Sequence, residues 1–163
     1  MTTLTDTVHE HHAILIPHVD ALLETARMVG TVPCEELRPR VLDTRSFLSG
    51  TLLPHMEATE RSIYPRLESA LSDTGALAPL RREHEEVRRL TAELGRLCDA
   101  NREGPYRRGA ALALRRALYR IHAIVRVHLD EEEMLTALLA HSIDPDEVAS
   151  VASDLAHAVA VPL

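Results

Sequence analysis

Apolar residues recur along this chain in steps of three and four, the period of a helix with one buried face. The first stripe is Val8, His12, Leu15, Val19, Leu22, Ala26 and Val29, and it predicts a helix over about 3–29. Residues 30–33 read as a loop. A second stripe, Val41, Leu48, Leu52, His55, Ile63, Leu67 and Leu71, predicts a helix over about 35–72. Pro39 suits its first turn, whereas Pro54, shortly after Gly50, predicts a kink. A third helix is predicted over about 77–100, with Leu80, His84, Val87, Leu90, Leu94 and Leu97 inward. A fourth covers about 106–140, with Leu114, Leu118, Ile121, Val125, His128, Leu135 and Leu138 inward. Asp144-Pro145 starts a short fifth helix that ends near 159. Four long amphipathic helices on short connections predict an all-α fold, an antiparallel up-down-up-down four-helix bundle with a short C-terminal fifth helix.

Each long stripe carries one histidine. Imidazole fills a core badly unless its nitrogens are satisfied. His12 and His55 are 43 residues apart, and His84 and His128 are 44 apart. The apolar neighbours of His12 (Val8, Leu15, Leu22) match those of His84 (Leu80, Val87, Leu94) in register. Two helical hairpins thus each carry one early and one late histidine, at heights that coincide in an antiparallel pair. His128 and Glu132 lie four apart, about 40° from one another around the helix, and reach one cation or a bridged pair. Imidazole with carboxylate suits iron, manganese or zinc, and facing helices of a bundle are where dinuclear carboxylate sites are built.

Composition narrows the classes. The 163 residues fit one domain, with a bundle core at about 3–140 and a helical extension at about 144–160. Aromatics are 2% of the chain, so the core is aliphatic, which favours helix packing. The net charge of −7 argues against nucleic acid as a partner. All 18 basic residues are arginine, which removes lysine-based covalent chemistry. Two cysteines without a CxxC, no signal-like N-terminus and no apolar run of spanning length predict a reduced, cytoplasmic chain with no membrane association. No P-loop, dinucleotide fingerprint, nucleophile triad or HExxH is present.

His12, then His55 with a following acid and Ile63-Tyr64-Pro65, then Glu83-His84, then His128-Leu-Asp-Glu-Glu132, together resemble the hemerythrin-like, HHE cation-binding proteins. The resemblance runs from about Val8 to Leu139. It implies a four-helix bundle around a non-haem di-iron centre, oxo-bridged in some states, with zinc or manganese as less favoured occupants. The family binds or senses O2, handles iron or nitric oxide, or decomposes peroxide. The implied partner is therefore a small diatomic or peroxide, and the protein is expected as a monomer or homodimer. Carried over by position, His12, His55, His84, His128 and Glu132 are the ligands. Helix 2 departs from the pattern, because the expected His-x-x-x-Glu has Thr59 in its last place. Glu60 is one step late, and a one-residue bulge near Pro54 would be needed to turn it inward as a bridging carboxylate. Arg88 stands where the invertebrate oxygen carriers have a second histidine on helix 3, which weighs against simple O2 carriage.

Other residues stay open on the sequence alone. His11 rivals His12 and forms an i, i+7 pair with His18, so His18 is a further candidate metal contact. His122 lies about 120° from the His128 face and reads as a partner of a ligand. Glu10, Asp130 and Glu131 are candidate acceptors for a ligand imidazole N–H. Tyr64 and Tyr119 read as core residues with a polar handle, with a phenolate from either as an alternative replacement for the missing Glu. His9, His141 and His157 read as peripheral.

Overall fold

The computed structural model describes residues 4–139 and 144–159, and every regular element among them is helical. α1 spans Leu4–Met28, α2 Cys34–Phe47, α3 Leu53–Ser62, α4 Tyr64–Leu71, α5 Ala78–Ala100, α6 Arg108–Leu139 and α7 Pro145–Val159. No helix among the described residues is long and apolar enough to cross a membrane.

The contacts between helices run in opposite chain order. His12 meets Glu133 and Asp20 faces His122, so α1 and α6 pair as their numbers rise and fall. His84 with His128 and Glu86 with Arg120 pair α5 with α6. Arg45 with Asp99 and Glu60 with His84 set α2 and α3 along α5. Thr25 meets Thr44 between α1 and α2.

The second stripe does not form the single helix its periodicity predicts. It is broken twice, and both breaks precede a proline. Pro54 has no N–H to offer the carbonyl of Gly50. The backbone widens just before it into a π-turn, Leu48–Leu52, in which the Leu53 N–H reaches back five residues to Leu48. Such a turn adds one residue to the count and shifts the inward face. The second break, at Ile63 before Pro65, was not expected from the pattern; it starts α4 at Tyr64 and turns that side chain fully inward. The apolar stripes also outrun the core, since Leu71 and Leu138 were expected inside and stand 40% and 71% exposed.

Turn chemistry explains the remaining boundaries. At the end of α4, Ser72 adopts the left-handed conformation (φ 54°). The Asp73 N–H then bonds Glu68 O at 3.1 Å and the Ser72 N–H bonds Ser69 O at 3.1 Å, the pair of bonds that closes a helix in a Schellman turn. Asp73 Oδ1 accepts the Gly75 N–H, and Asp144 Oδ1 accepts the Asp146 N–H at the start of α7. The α5–α6 loop is gripped by Arg38, which donates to Asn101 O at 2.7 Å and Gly104 O at 2.6 Å and lies over the Tyr106 ring.

Two apolar clusters result. The larger includes Leu15, Leu52, Met56, Val87, Leu94 and Val125. The smaller includes Val8, Ala58, Tyr64, Leu80, Val148 and Val151, and brings in α7, which packs on α1 and α3. On each ligand-bearing helix a histidine falls where one cluster gives way to the other: Val8–His12–Leu15, Leu52–His55–Ala58, Leu80–His84–Val87 and Val125–His128–Leu135.

A residue with a Cβ in the left-handed region costs about 1–2 kcal/mol. Ser72→Gly is therefore expected to raise unfolding stability by about 1 kcal/mol in a urea titration. No gain would mean that the Ser72 turn is relaxed already.

Candidate metal centre

Five polar side chains meet in the layer between the clusters. His12, His55, His84, His128 and Glu132 are each no more than 2% exposed. They form two groups whose nitrogen and oxygen atoms lie within 4.8 Å of one another: His12, His55 and Glu132, and His84, His128 and Glu132. Glu132 belongs to both. Its Oε2 lies 3.2 Å from His12 Nε2 and 3.8 Å from His55 Nε2, and its Oε1 lies 3.3 Å from His128 Nε2. The Tyr64 hydroxyl donates to Oε1 at 2.6 Å.

Proton counting shows what this layer lacks. His84 Nδ1–H donates to Glu60 at 2.6 Å and His128 Nδ1–H donates to Glu83 at 2.7 Å. When both imidazoles are neutral, as ligation requires, each carries one N–H, and both Nε2 atoms then present lone pairs. Those two atoms are 2.8 Å apart. The Tyr64 hydroxyl is 3.2 and 3.4 Å from them, but its single proton is committed to Glu132. His12 faces carboxylates at both nitrogens, Glu133 at 3.1 Å and Glu132 at 3.2 Å, with one proton to share when neutral. His55 has no partner at either nitrogen. Aligned lone pairs beside a buried carboxylate fit a cation, and the donor set of imidazole and carboxylate suits iron, manganese or zinc.

Titration behaviour follows the same geometry. Burial opposes ionisation of Glu132, yet the imidazoles of His12, His128 and His55 beside it hold its pKa well below the carboxylate norm. Burial, then His128, pushes His84 down to about 4. Burial also works against His128, but Glu132 and Glu83 hold it above its ordinary value. Burial drives the Tyr64 phenol far upward, and Glu132 adds to this, so Tyr64 stays a donor. Burial, with the neighbouring His55 and His12, lowers His11 to about 3.

The supports of the ligands form a closed circuit. Glu60 on α3 holds His84 on α5, Glu83 on α5 holds His128 on α6, and Glu133 on α6 holds His12 on α1. Each supporting residue is the chain neighbour of a position facing the layer: Glu60 of Thr59, Glu83 of His84, Glu133 of Glu132. On α1 the corresponding neighbour of His12 is His11, whose ring stacks on His55 of α3 at 4.7 Å between centroids. Such partners fix the tautomer and orientation of a ligand imidazole.

Five of the seven sequence-predicted ligands meet in the layer. Glu60 does not join either group. The π-turn lies before His55 and rotates His55 and Glu60 together, so within α3 the two remain five residues apart. Glu60 therefore sits outside, between His84 and Arg88, which donates to it at 2.8 Å. His18 also stays apart. It shares a face with His11 but lies two turns further along α1, about 10 Å of rise, and stacks on Phe47 at 5.0 Å. Thr59 is fully buried and donates to Met56 O. His122 approaches Asp20 at 3.7 Å rather than a ligand, and Tyr119 lies under Arg115. His9 is exposed beside Glu133, and His157 bonds Ser153 O in its own helix. His141 lies outside the described residues.

Glu83 and Glu133 were not foreseen as supports; Glu10, Asp130 and Glu131 were expected in that place. Glu83 and Glu133 sit off the apolar stripes. Their signal is adjacency: in antiparallel helices, the neighbour of one ligand faces the ligand on the next helix.

The family model described as "Hemerythrin HHE cation binding domain" matches residues 3–140. No curated protein and no solved structure gives a significant match to the chain.

Glu83→Gln is expected to lower cation affinity about 10–100-fold, as loss of a ligand's orienting partner does, with an unchanged far-ultraviolet circular dichroism spectrum. Unaltered affinity in a calorimetric titration would remove Glu83 from this role.

Proposed function

Because the chain belongs to the hemerythrin HHE cation-binding family, matched over residues 3–140, we propose that it is a non-haem di-iron protein that binds or reacts with O2, peroxide or nitric oxide in its core. The observation that carries this reading is the sharing of one buried carboxylate by two imidazole pairs. His12 and His55 would hold one iron, His84 and His128 the other, with Glu132 common to both. The opposed helix contacts support an up-down-up-down bundle around the pair, with α7 as a cap. An iron pair bound there supplies Lewis acidity and a one-electron change at each metal.

The chain's own contributions follow from the contacts described. Three carboxylates orient three ligand rings and leave each Nε2 lone pair directed into the layer. Tyr64 holds Glu132 by its hydroxyl, which fixes the rotamer of the shared carboxylate. The two apolar clusters keep bulk water from the layer, so charges inside it interact more strongly than at the surface. Arg88 neutralises Glu60, whose carboxylate is 26% exposed at the rim.

A second reading, a single-metal bundle for iron homeostasis or redox sensing, is favoured by one observation. Thr59 stands in place of a second shared carboxylate, and Glu60 does not replace it.

Metal analysis with an ultraviolet-visible spectrum tests the proposal. Two irons per chain with charge-transfer bands support it; one colourless zinc per chain contradicts it. His84→Ala is expected to lose most bound metal while keeping its helicity, and full metal retention in that variant would refute the assignment. Bound metal is also expected to raise the melting temperature, because a ligand of the folded state alone stabilises it by mass action. An apo form that melts no earlier would contradict this.

A further inference from the structure

Tyr64 meets the polar layer at more points than its hydrogen bond to Glu132 requires. The break at Ile63 before Pro65 starts α4 and buries the Tyr64 side chain fully, with its ring stacked beside His84 at 5.5 Å between centroids. Its oxygen lies 2.6 Å from Glu132 Oε1, 3.2 Å from His84 Nε2 and 3.4 Å from His128 Nε2. The only proton on that oxygen goes to Glu132. With the imidazole protons held at Nδ1 by Glu60 and Glu83, none is left for either nitrogen contact. A hydroxyl buried for packing alone needs one partner; this one is ringed by three.

The spacing of these atoms is that of ligands around one ion. Donors held at about 2.0 Å from a metal stand about 2.8 Å apart at a right angle and about 3.3 Å apart at the tetrahedral angle. Here His84 Nε2 and His128 Nε2 are 2.8 Å apart, and His128 Nε2 and Glu132 Oε1 are 3.3 Å apart. The phenolic oxygen falls in the same range from all three. The Thr59 side chain also reaches the phenol, so the oxygen stands beside the place where helix 2 lacks its expected carboxylate. The Arg81 guanidinium, paired with Glu68, lies over the Tyr64 ring at 5.2 Å and favours negative charge on it.

We propose that Tyr64 is the fourth ligand of the cation held by His84, His128 and Glu132, bound through its phenolate oxygen. The phenol O–H bond breaks as the oxygen–metal bond forms, and the proton leaves to water. A cation seated among the four atoms thus displaces the proton that otherwise bridges Tyr64 to Glu132, as a bound metal does at other acidic ligands. The phenolate is then the second anion of the site, in the stead of the carboxylate that Thr59 does not provide. This rests on cation binding at His84, His128 and Glu132, and it stands whether or not the His12–His55 position also fills.

Iron-loaded, air-oxidised protein is the probe. Phenolate bound to ferric iron gives a visible charge-transfer band, and resonance Raman excitation within it returns the ring vibrations of the phenolate. A bridging oxo group or an imidazole returns no such vibrations. The chain has three tyrosines, Tyr64, Tyr106 and Tyr119. The phenolate vibrations are expected in the wild type and in the Tyr106→Phe/Tyr119→Phe double variant, where Tyr64 is the sole tyrosine. They are expected to be lost in Tyr64→Phe, which should also hold iron at least about 10-fold more weakly. Iron uptake by the wild type without phenolate vibrations would overturn the inference and leave the cation reading standing. Vibrations that persist in Tyr64→Phe, or vanish from an iron-loaded double variant, would overturn it by assigning the ligand to another residue. Failure of the wild type to take up iron would overturn both. The wild-type and double-variant spectra decide the matter even where Tyr64→Phe does not fold.

Discussion

Everything in this fold is arranged around the burial of Glu132. A carboxylate fully removed from water costs several kcal/mol unless partners repay it. Here the partners are imidazoles of α1, α3 and α6 and the phenol of α4, with His84 of α5 against His128. Each of those groups must be held at the same height, which fixes the axial register of α1, α3, α5 and α6 more tightly than aliphatic packing does. Leucines slide over one another at small cost, whereas a carboxylate displaced from its donors does not. The register of the helices and the composition of the site are thus one constraint.

The same layer is overloaded with acceptors. Glu60, Glu83 and Glu133 surround it, and their hold on the Nδ1 protons turns lone pairs inward toward Glu132. Arg88 offsets one of these charges at the rim. A polar cluster with more acceptors than protons is incomplete as a hydrogen-bond network and complete as a cation receptor. This is why the centre reads as a site rather than as a specificity device of the core.

Most of the helices and five of the seven proposed ligands were legible in the sequence, because a ligand histidine occupies a core position in a 3.6-residue stripe. His12 and His84 even share their apolar neighbours. What the stripe hides is phase. One residue added in the π-turn leaves an apolar sequence apolar, so the second helix reads as continuous although it breaks at 48–52 and again at Ile63. Glu60 was misplaced for the same reason, since a bulge helps only if it falls between His55 and Glu60. The supports were missed because they lie beside the stripe and not on it. Their role depends on which helix comes next around the bundle, a fact of tertiary structure. Leu71 and Leu138 were misjudged because a periodic pattern carries no mark for where the neighbouring helix ends.

The polar layer also divides the interior in two. Leu15, Met56 and Leu94 belong to one hydrophobic mass, while Val8, Tyr64 and Val151 belong to another, and the histidines and Glu132 lie between them. The interior is therefore two apolar clusters shared by the same helices, with the seam at their junction. A cation held in that seam would act as a rivet, tying the cluster closed by α7 to the larger one.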